Sequence, residues 1–432
     1  MSQVELITGI DIGSSSTRIA VGEASQDSDR VNIIGFSEGE SNGVSKGVIR
    51  SIEEVVESVI SVKTRAEKMT SMRIDHAIVG ISGSHITAQD SKGVIAVARA
   101  DGEIREDDVD RVLEAAQAVS VPPNYEIIHV LPKTFSIDNQ TDIKDPIGMN
   151  GVRLEVEAQI IEGQSAHIKN LTKAVSLSGL SIDDLVLSSL ASSEAALTER
   201  QKDLGVVLIN IGAATTSILV FEEGDILLVK VLPIGSAHIT NDIAIGLRTN
   251  IDIAEKIKIQ YGSTLSSIGK GHSSSTGHTP RHMPGGQDEV SLSQIDEQEE
   301  GGFSRKYLAE IIEARVEEIF HLVDKELKSV EKSGKLPAGA ILTGGGAKLP
   351  GVIESAKRVF RLPASIGAPI SVDSAIDKLN NPEYTTAVGL VKWGYANQIS
   401  SQGSFGSIGI RGFKGIHAIG SKFKSVIHFF KS

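Results

Sequence analysis

Two stretches decide the fold: "ITGIDIGSSSTRIAV", Ile7–Val21, and "VLINIGAATTSILVF", Val207–Phe221. Both carry the skeleton I-[D/N]-I-G-x-x-[S/T]-T-x-I-x-V, offset by 199 residues, with Asp11 in the first copy replaced by Asn210 in the second. Apolar residues alternating on either side of a glycine and small hydroxyl residues read as strand, turn, strand. Such a turn aims successive backbone N–H groups at one spot, a nest for phosphate oxygens to which hydroxyls add donors. A single copy is weak evidence, because hairpins use these residues for their backbone conformation alone. Two copies, one opening each half of the chain, point to two similar lobes gripping one polyphosphate across a cleft. A third element fits that reading: "ILTGGGAKLPG", Ile341–Gly351, is an apolar strand running through three glycines into a helix start. Glycines there let the backbone approach a flat ligand closely. Neither the G-x-x-x-x-G-K-[S/T] phosphate loop nor the dinucleotide G-x-G-x-x-G fingerprint matches in context.

The bulk composition narrows the class. At 432 residues the chain exceeds one core, and roughly 150 residues per domain implies two to four domains. Apolar residues at 40% and charged residues at 23% are those of a soluble globular protein. The absence of cysteine excludes disulfides and thiolate metal centres and fits a reducing compartment. The N-terminal "MSQVELITGIDIG" has no basic stretch leading into an apolar one, so no signal peptide is expected. No run reaches the roughly 18 apolar residues of a membrane span. A net charge of −12 argues against nucleic acid as a partner. That charge is uneven: Tyr384 to Ser432 holds no acid, but contains Lys392, Arg411, Lys414, Lys422, Lys424 and Lys431.

Along the chain, β-type patches alternate with amphipathic helices, as in α/β architecture. Strands are expected over 4–22, 31–37 and 76–82, with a helix over Glu53–Met69. Residues 84–162 read as a separate α+β block, with strands at 94–98, 126–137 and 152–161 around a helix at 106–118. A helix follows in "SAHIKNLTKAVSLSGL", with Gly179 as its stop. Further helices are expected at 236–247, 252–260 and 304–332. From Gly262 to Gly302 the composition turns to Ser, Gly, Pro, His and acids, which reads as a mobile loop. His272, His278 and His282 within it are expected to be solvated rather than metal-bound.

In order, "DIGSSST", "NIGAATTS", "LPIG", "AEKIK" and "LTGGGAKLPG" resemble the actin-like ATPase superfamily. Within it, "MNGVRLEVEAQII", "LASSEAAL", "SIGAPI" and "YTTAVGLVKWG" resemble the FtsA family of bacterial cell-division proteins over about 4–397. The resemblance implies an α/β, actin-like (ribonuclease H-like) duplicated fold. It divides into a first lobe (1–83 and 163–204), an inserted subdomain (84–162), a second-lobe core (205–240 and 338–397) and an outer subdomain (241–337). It implies ATP and Mg²⁺ as cofactors. Asp11 would hold the metal through water, and Gly13, Ser14, Ser15 and Ser16 would form the first phosphate turn, with Arg18 a basic phosphate contact. Gly212, Ala213, Thr215 and Thr216 would form the second turn beside Asn210, and Gly235 the segment returning beneath the nucleotide. The resemblance would have Glu255 and Lys258 face ribose and adenine; without it, an exposed ion pair one helical turn apart is the favoured reading of their spacing. Gly344, Gly345, Gly346 and Lys348 would form the adenosine turn.

The chain departs from the superfamily pattern at Asn210, where an acid is usual, and at Ser188, where active relatives carry a Glu-Pro. Asn keeps the hydrogen-bonding shape but no charge to hold a metal-bound water, and a neutral Ser is a poor base. Binding with slow or absent turnover is the expectation. The basic C-terminus has its own reading: 398–412 as a flexible linker and 413–432 as an amphipathic helix. At 100° per residue Ile416, Ile419, Phe423, Val426, Ile427 and Phe430 share an arc of about 100°. Phe413, Lys422 and Lys431 flank it, and the lysines can snorkel. A helix packed on its own domain shows the same stripe; the one-signed polar face favours an in-plane helix on anionic lipid. The resemblance adds partners: the C-terminal peptide of the tubulin-like FtsZ on the outer subdomain, self-association into filaments, and further division proteins through 84–162. It places the protein on the cytoplasmic side of the membrane at the septum. Two other readings are a phosphotransferase of the superfamily, disfavoured by Ser188 and Asn210, and a PilM-like pilus-assembly adaptor, disfavoured by the tail.

Overall fold

The computed structural model describes residues 6–24, 30–118, 121–265, 289–296, 301–374 and 376–401. The first lobe opens with β1 (Leu6–Ile12), β2 (Ser16–Ala24) and β3 (Val31–Glu40), an antiparallel meander. A small hairpin of β4 (Val44–Ser45) and β5 (Val48–Ile49) leads to α1 (Ile52–Thr70), whose N-cap Ser51 accepts from the Glu54 N–H. Its apolar stripe, Val55, Val59, Val62 and Ala66, is buried against the sheet. β6 (His76–Ile81) then pairs parallel to β1.

The 84–162 block follows: β7 (Ile86–Ala96), α2 (Glu106–Gln117), β8 (Tyr125–Ile137), β9 (Gln140–Ile143) and β10 (Arg153–Gln164). Its sheet runs β7-β10-β8-β9, with α2 on one face over its own core of Val112, Leu113, Leu154 and Val156. β7 begins eight residues earlier than its apolar end predicts. Its polar start, "ITAQDSKG", has no stripe of its own and is held by an unbroken ladder to β10. β9 is likewise a strand that composition alone does not announce.

The chain re-enters the first lobe through α3 (Ser165–Leu177), with Gly179 at a positive φ just past its end, and β11 (Ser181–Leu187). It crosses to the second lobe along α4 (Ser188–Ala196) and α5 (Glu199–Leu204). There β12 (Val206–Ile211), β13 (Thr216–Glu222) and β14 (Asp225–Leu232) repeat the meander. The outer part comprises α6 (Ser236–Leu247), α7 (Ile251–Tyr261), a strand pair of β15 (Glu289–Ser291) and β16 (Gly302–Ser304), and α8 (Arg305–Ser329). β15 lies within the span read as a loop and β16 begins at its last residue, the pair anchored by buried Val290 and Phe303 in a polar context. β17 (Gly339–Thr343), α9 (Val352–Phe360), β18 (Ala364–Ile366), β19 (Val372–Ser374) and α10 (Thr385–Ser401) complete the described chain.

The two large sheets match strand for strand. The second runs β14-β13-β12-β17-β18, and the first β3-β2-β1-β6-β11 with β19 added beside β3. In each, the middle strand, β1 or β12, is antiparallel to the next in sequence and parallel to its neighbour on the other side, β6 or β17. This is an actin-like, duplicated α/β fold. Side-chain alternation divides the second sheet between two cores: Val206 and Leu208 join the first-lobe core, while Val207 and Ile209 join the outer one. α4 and α10 cross between the lobes at Gly389, where an added Cβ would lie 1.8 Å from the Ala191 carbonyl oxygen. His272, His278 and His282, and the whole 413–432 stretch with Phe413, Ile416, Ile419, Lys422, Phe423, Val426, Ile427, Phe430 and Lys431, lie outside the described residues.

Candidate functional site

The two turns are built alike. The Gly13 N–H donates to the Ser16 carbonyl at 3.1 Å, and the Gly212 N–H to the Thr215 carbonyl at 2.9 Å. Asp11 stands opposite Arg18 in the ladder, as Asn210 stands opposite Ser217. Ser15 is exposed, and Ser14, Ser16, Gly212, Ala213 and Thr215 are partly so. Thr216 is different: it is fully buried and its hydroxyl donates to the Ile234 carbonyl at 2.8 Å. Ladder parity places it beside Ile211, on the core side, so it braces the turn where the sequence suggested a phosphate donor.

Asp11 sits at the mouth of the first lobe. Burial pushes its carboxyl above the usual range, with the Arg18 charge opposing. Ser188, the first residue of α4, is buried with no partner for its Oγ. A Cβ placed on Gly80 would lie 3.0 Å from that Oγ and 3.5 Å from Asp11 Oδ1, so the two oxygens converge on the same glycine. A carboxylate with an orphaned hydroxyl beside it fits a hydrated Mg²⁺. Arg18 is engaged elsewhere: its guanidinium pairs with Glu38 at 2.7 Å and lies 5.6 Å from the Tyr384 ring centre. Burial alone would raise Glu38, but Arg18, Tyr384 and Lys378 hold it below the usual value. Arg18 therefore bears on the site through the charge it places opposite Asp11.

The second turn is gripped from behind. The Ser236 and Ala237 N–H groups, at the start of α6, donate to the Gly212 and Ala213 carbonyls at 2.9 and 2.8 Å. Gly235 is needed for this approach, since a Cβ there would lie 2.5 Å from the Gly212 oxygen. Lys258 bonds Glu255 at 2.7 Å, Thr240 at 2.8 Å and the Ser236 carbonyl at 3.3 Å. The Glu255–Lys258 pair thus exists, and it is tied to the turn that holds the second hairpin. Asn210 donates its amide to Ser192 of α4 at 3.1 Å and to Thr386 of α10 at 3.3 Å. It works as a joint between the lobe-crossing helices.

The three glycines after β17 have unequal roles. Gly344, at φ +84°, and Gly346 would each drive a Cβ to 2.4 Å from Asn210 Oδ1 or the Ile211 side chain. Their lack of a side chain serves packing on β12; Gly345 alone has open space around it. Lys348 pairs with Glu383 at 2.8 Å. Sequence reasoning did not find Gly80, Ser192, Thr386 or the Ser82–Ser217 hydroxyl contact at 3.4 Å across the lobes. These partners are far apart in the chain and carry no local motif. Behind the first turn lies a small cavity lined by Ile12, Gly47, Gly80, Ser82, His85 and His167. Its two imidazole rings are 4.8 Å apart, and burial with the His167 charge lowers His85 to about 4.

Comparison with known proteins agrees with this geometry. The family described as cell division protein FtsA matches residues 207–389, and an SHS2 domain inserted in FtsA matches 83–162. Cell division protein FtsA of Bacillus subtilis is 39% identical over 398 residues, 92% of this chain and 85% of that one. The Pseudomonas aeruginosa protein is 37% identical, covering 91% and 90%, and that of Escherichia coli K12 33%, covering 92% of both. Among solved structures, a PilM–PilN type IV pilus biogenesis complex superposes with a TM-score of 0.64 at 14% identity, over 90% of this chain and 98% of that one. Spiroplasma citri MreB5 bound to AMPPNP gives 0.54 at 12% identity, over 93% and 98%. At such identities these two speak for the fold alone.

Proposed function

The chain belongs to the FtsA family of cell-division proteins, and from that premise we propose an ATP-gated scaffold that tethers the division ring to the membrane. The observation that carries the nucleotide reading is the pair of turns with identical ladder register, closed by equivalent Gly13 and Gly212 hydrogen bonds. ATP would sit between them with a hydrated Mg²⁺ at Asp11, the bound cation neutralising phosphate charge; a fold neighbour holds AMPPNP. The residues' part is to bind and orient. Ser188 is neutral and Asn210 is engaged with two hydroxyls, so neither can serve as a base for water. Slow or absent turnover follows.

Bound nucleotide would favour self-association into actin-like filaments. The outer subdomain would take the C-terminal peptide of FtsZ: exposed Ile245, Ile251 and Tyr307 lie there alongside Arg305, Lys306 and Lys325. The 84–162 insertion would meet other division proteins, and residues 413–432 would hold the assembly on the inner membrane leaflet. Among the described residues no helix is long and apolar enough to cross a membrane. Measuring ATP affinity and phosphate release together tests the core of this reading. Micromolar-range Mg-ATP binding, lost in Asp11→Ala, with release far below ordinary ATPase rates is expected. Ordinary turnover abolished by Asp11→Ala would overturn the scaffold reading.

A further inference from the structure

The insertion touches the elements that carry both turns, and one buried side chain makes the closer of the two ties. His129 lies in β8, is buried, and accepts a hydrogen bond on Nε2 from the Leu187 N–H at 3.0 Å. An accepting Nε2 requires the ring proton on Nδ1, hence a neutral imidazole; burial enforces this by lowering its pKa to about 4. Leu187 ends β11 and is the residue from which α4 starts. Its N–H is one of the helix-start donors that have no partner within the helix. The next residue is Ser188, whose hydroxyl converges with Asp11 on Gly80. One turn further, Ser192 bonds Asn210 in the second lobe. The His129 ring also lies against Trp393 of α10, tilted to it with ring centres 5.8 Å apart.

The second tie lies across the cleft. β14 packs against β7 and β8 of the insertion, and Lys144 pairs with Asp225 at the start of β14. β14 is bonded to β13, the strand leaving the second turn. An insertion fixed to α4 on one side and to β14 on the other must follow relative movement of the two turns.

We propose that His129 is a positioning residue for the nucleotide cleft: it sets the start of α4, and with it the Ser188 side of the metal position, and so couples the insertion to nucleotide occupancy. The inference rests on the cleft binding a magnesium nucleotide. The test uses the full chain and compares ATP affinity with Mg²⁺ and in EDTA. His129→Phe keeps a ring but removes the acceptor, and is expected to weaken Mg-ATP binding by up to about tenfold, since no more than the strength of that one hydrogen bond can be passed to the site. Affinity in EDTA should stay within twofold, because Ser188 and Asp11 act through the metal's water. His129→Gln retains an acceptor near the Nε2 position and should recover most of the loss. In the wild type, Mg-ATP should slow amide exchange over 125–143, and His129→Phe should abolish that protection. A folded His129→Phe that binds Mg-ATP like the wild type, or that loses affinity equally with and without Mg²⁺, overturns the proposal. If that variant does not fold, unchanged exchange over 125–143 in the wild type overturns it. A wild type that fails to bind Mg-ATP at all would instead sink the nucleotide reading itself.

Discussion

Single residues in this protein matter mostly through what burial does to them. His85 and His129 are both held neutral down to about pH 4, by burial in each case and in His85 also by the neighbouring His167. In the unfolded chain such groups protonate near pH 6.5. Between about pH 6.5 and 4 the unfolded state therefore binds protons that the folded state does not, so stability rises with pH across that window and is level above it. The full effect approaches about 3 kcal/mol per histidine. Urea midpoints should fall steeply from about pH 7 to 4.5, and His85→Leu should flatten that slope by removing one titrating group. An identical slope in wild type and variant would show that His85 does not carry the dependence. Asn210 teaches the companion lesson. Its replacement of an acid reads, in sequence, as a lost metal contact; in the structure its amide also joins two helices through Ser192 and Thr386.

At the scale of elements, the α4–α10 crossing is the tightest joint. An Ala at 389 would place its Cβ 1.8 Å from a backbone oxygen of α4, and backbone cannot rotate away as a side chain can. The helices must part, which also strains the Asn210–Ser192–Thr386 contacts. Overpacking of this kind costs about 1–3 kcal/mol, so Gly389→Ala should lower the thermal midpoint by several degrees. Gly345→Ala, whose Cβ meets nothing within 4 Å, should leave the midpoint where it is. Equal midpoints for both variants would refute the close crossing. The same contrast shows what the chain discloses in advance. The repeated hairpins, α1 and the Gly179 stop were legible because apolar period and turn chemistry are local. The inward face of Thr216 was readable too, since it pairs with Ile211, but it needed parity as well as the motif. The polar half of β7 was not legible, because only its ladder to β10 makes it a strand. Nor were the bonds from Asn210 to Thr386 or from Leu187 to His129, which join residues 176 and 58 positions apart.

On the scale of the whole molecule, charge is spread unevenly between the body and the C-terminal stretch. The chain is net acidic, yet its last 49 residues contain no acid. An acidic body is repelled by an anionic bilayer, so any attraction must come from the tail. Each lysine close to such a surface contributes about 1 kcal/mol, and the contribution fades with salt. Burial of Ile416, Ile419, Phe423, Val426, Ile427 and Phe430 would add the apolar part. Gly415 and Gly420 disfavour a helix in water, so the helix should form on the lipid. One such helix would grip weakly and reversibly, and a filament displaying many would grip by avidity. The full chain should therefore float with anionic vesicles, less with neutral ones, and less at high salt, with Mg-ATP enhancing flotation by driving assembly. A chain ending at residue 412 should stay at the bottom of the gradient while binding Mg-ATP normally, because both turns lie within residues 6–401. Equal flotation of the two forms would place the membrane contact elsewhere on the body. Flotation that ignores salt but needs the tail would leave the apolar face as the sole anchor and remove the lysines from the account.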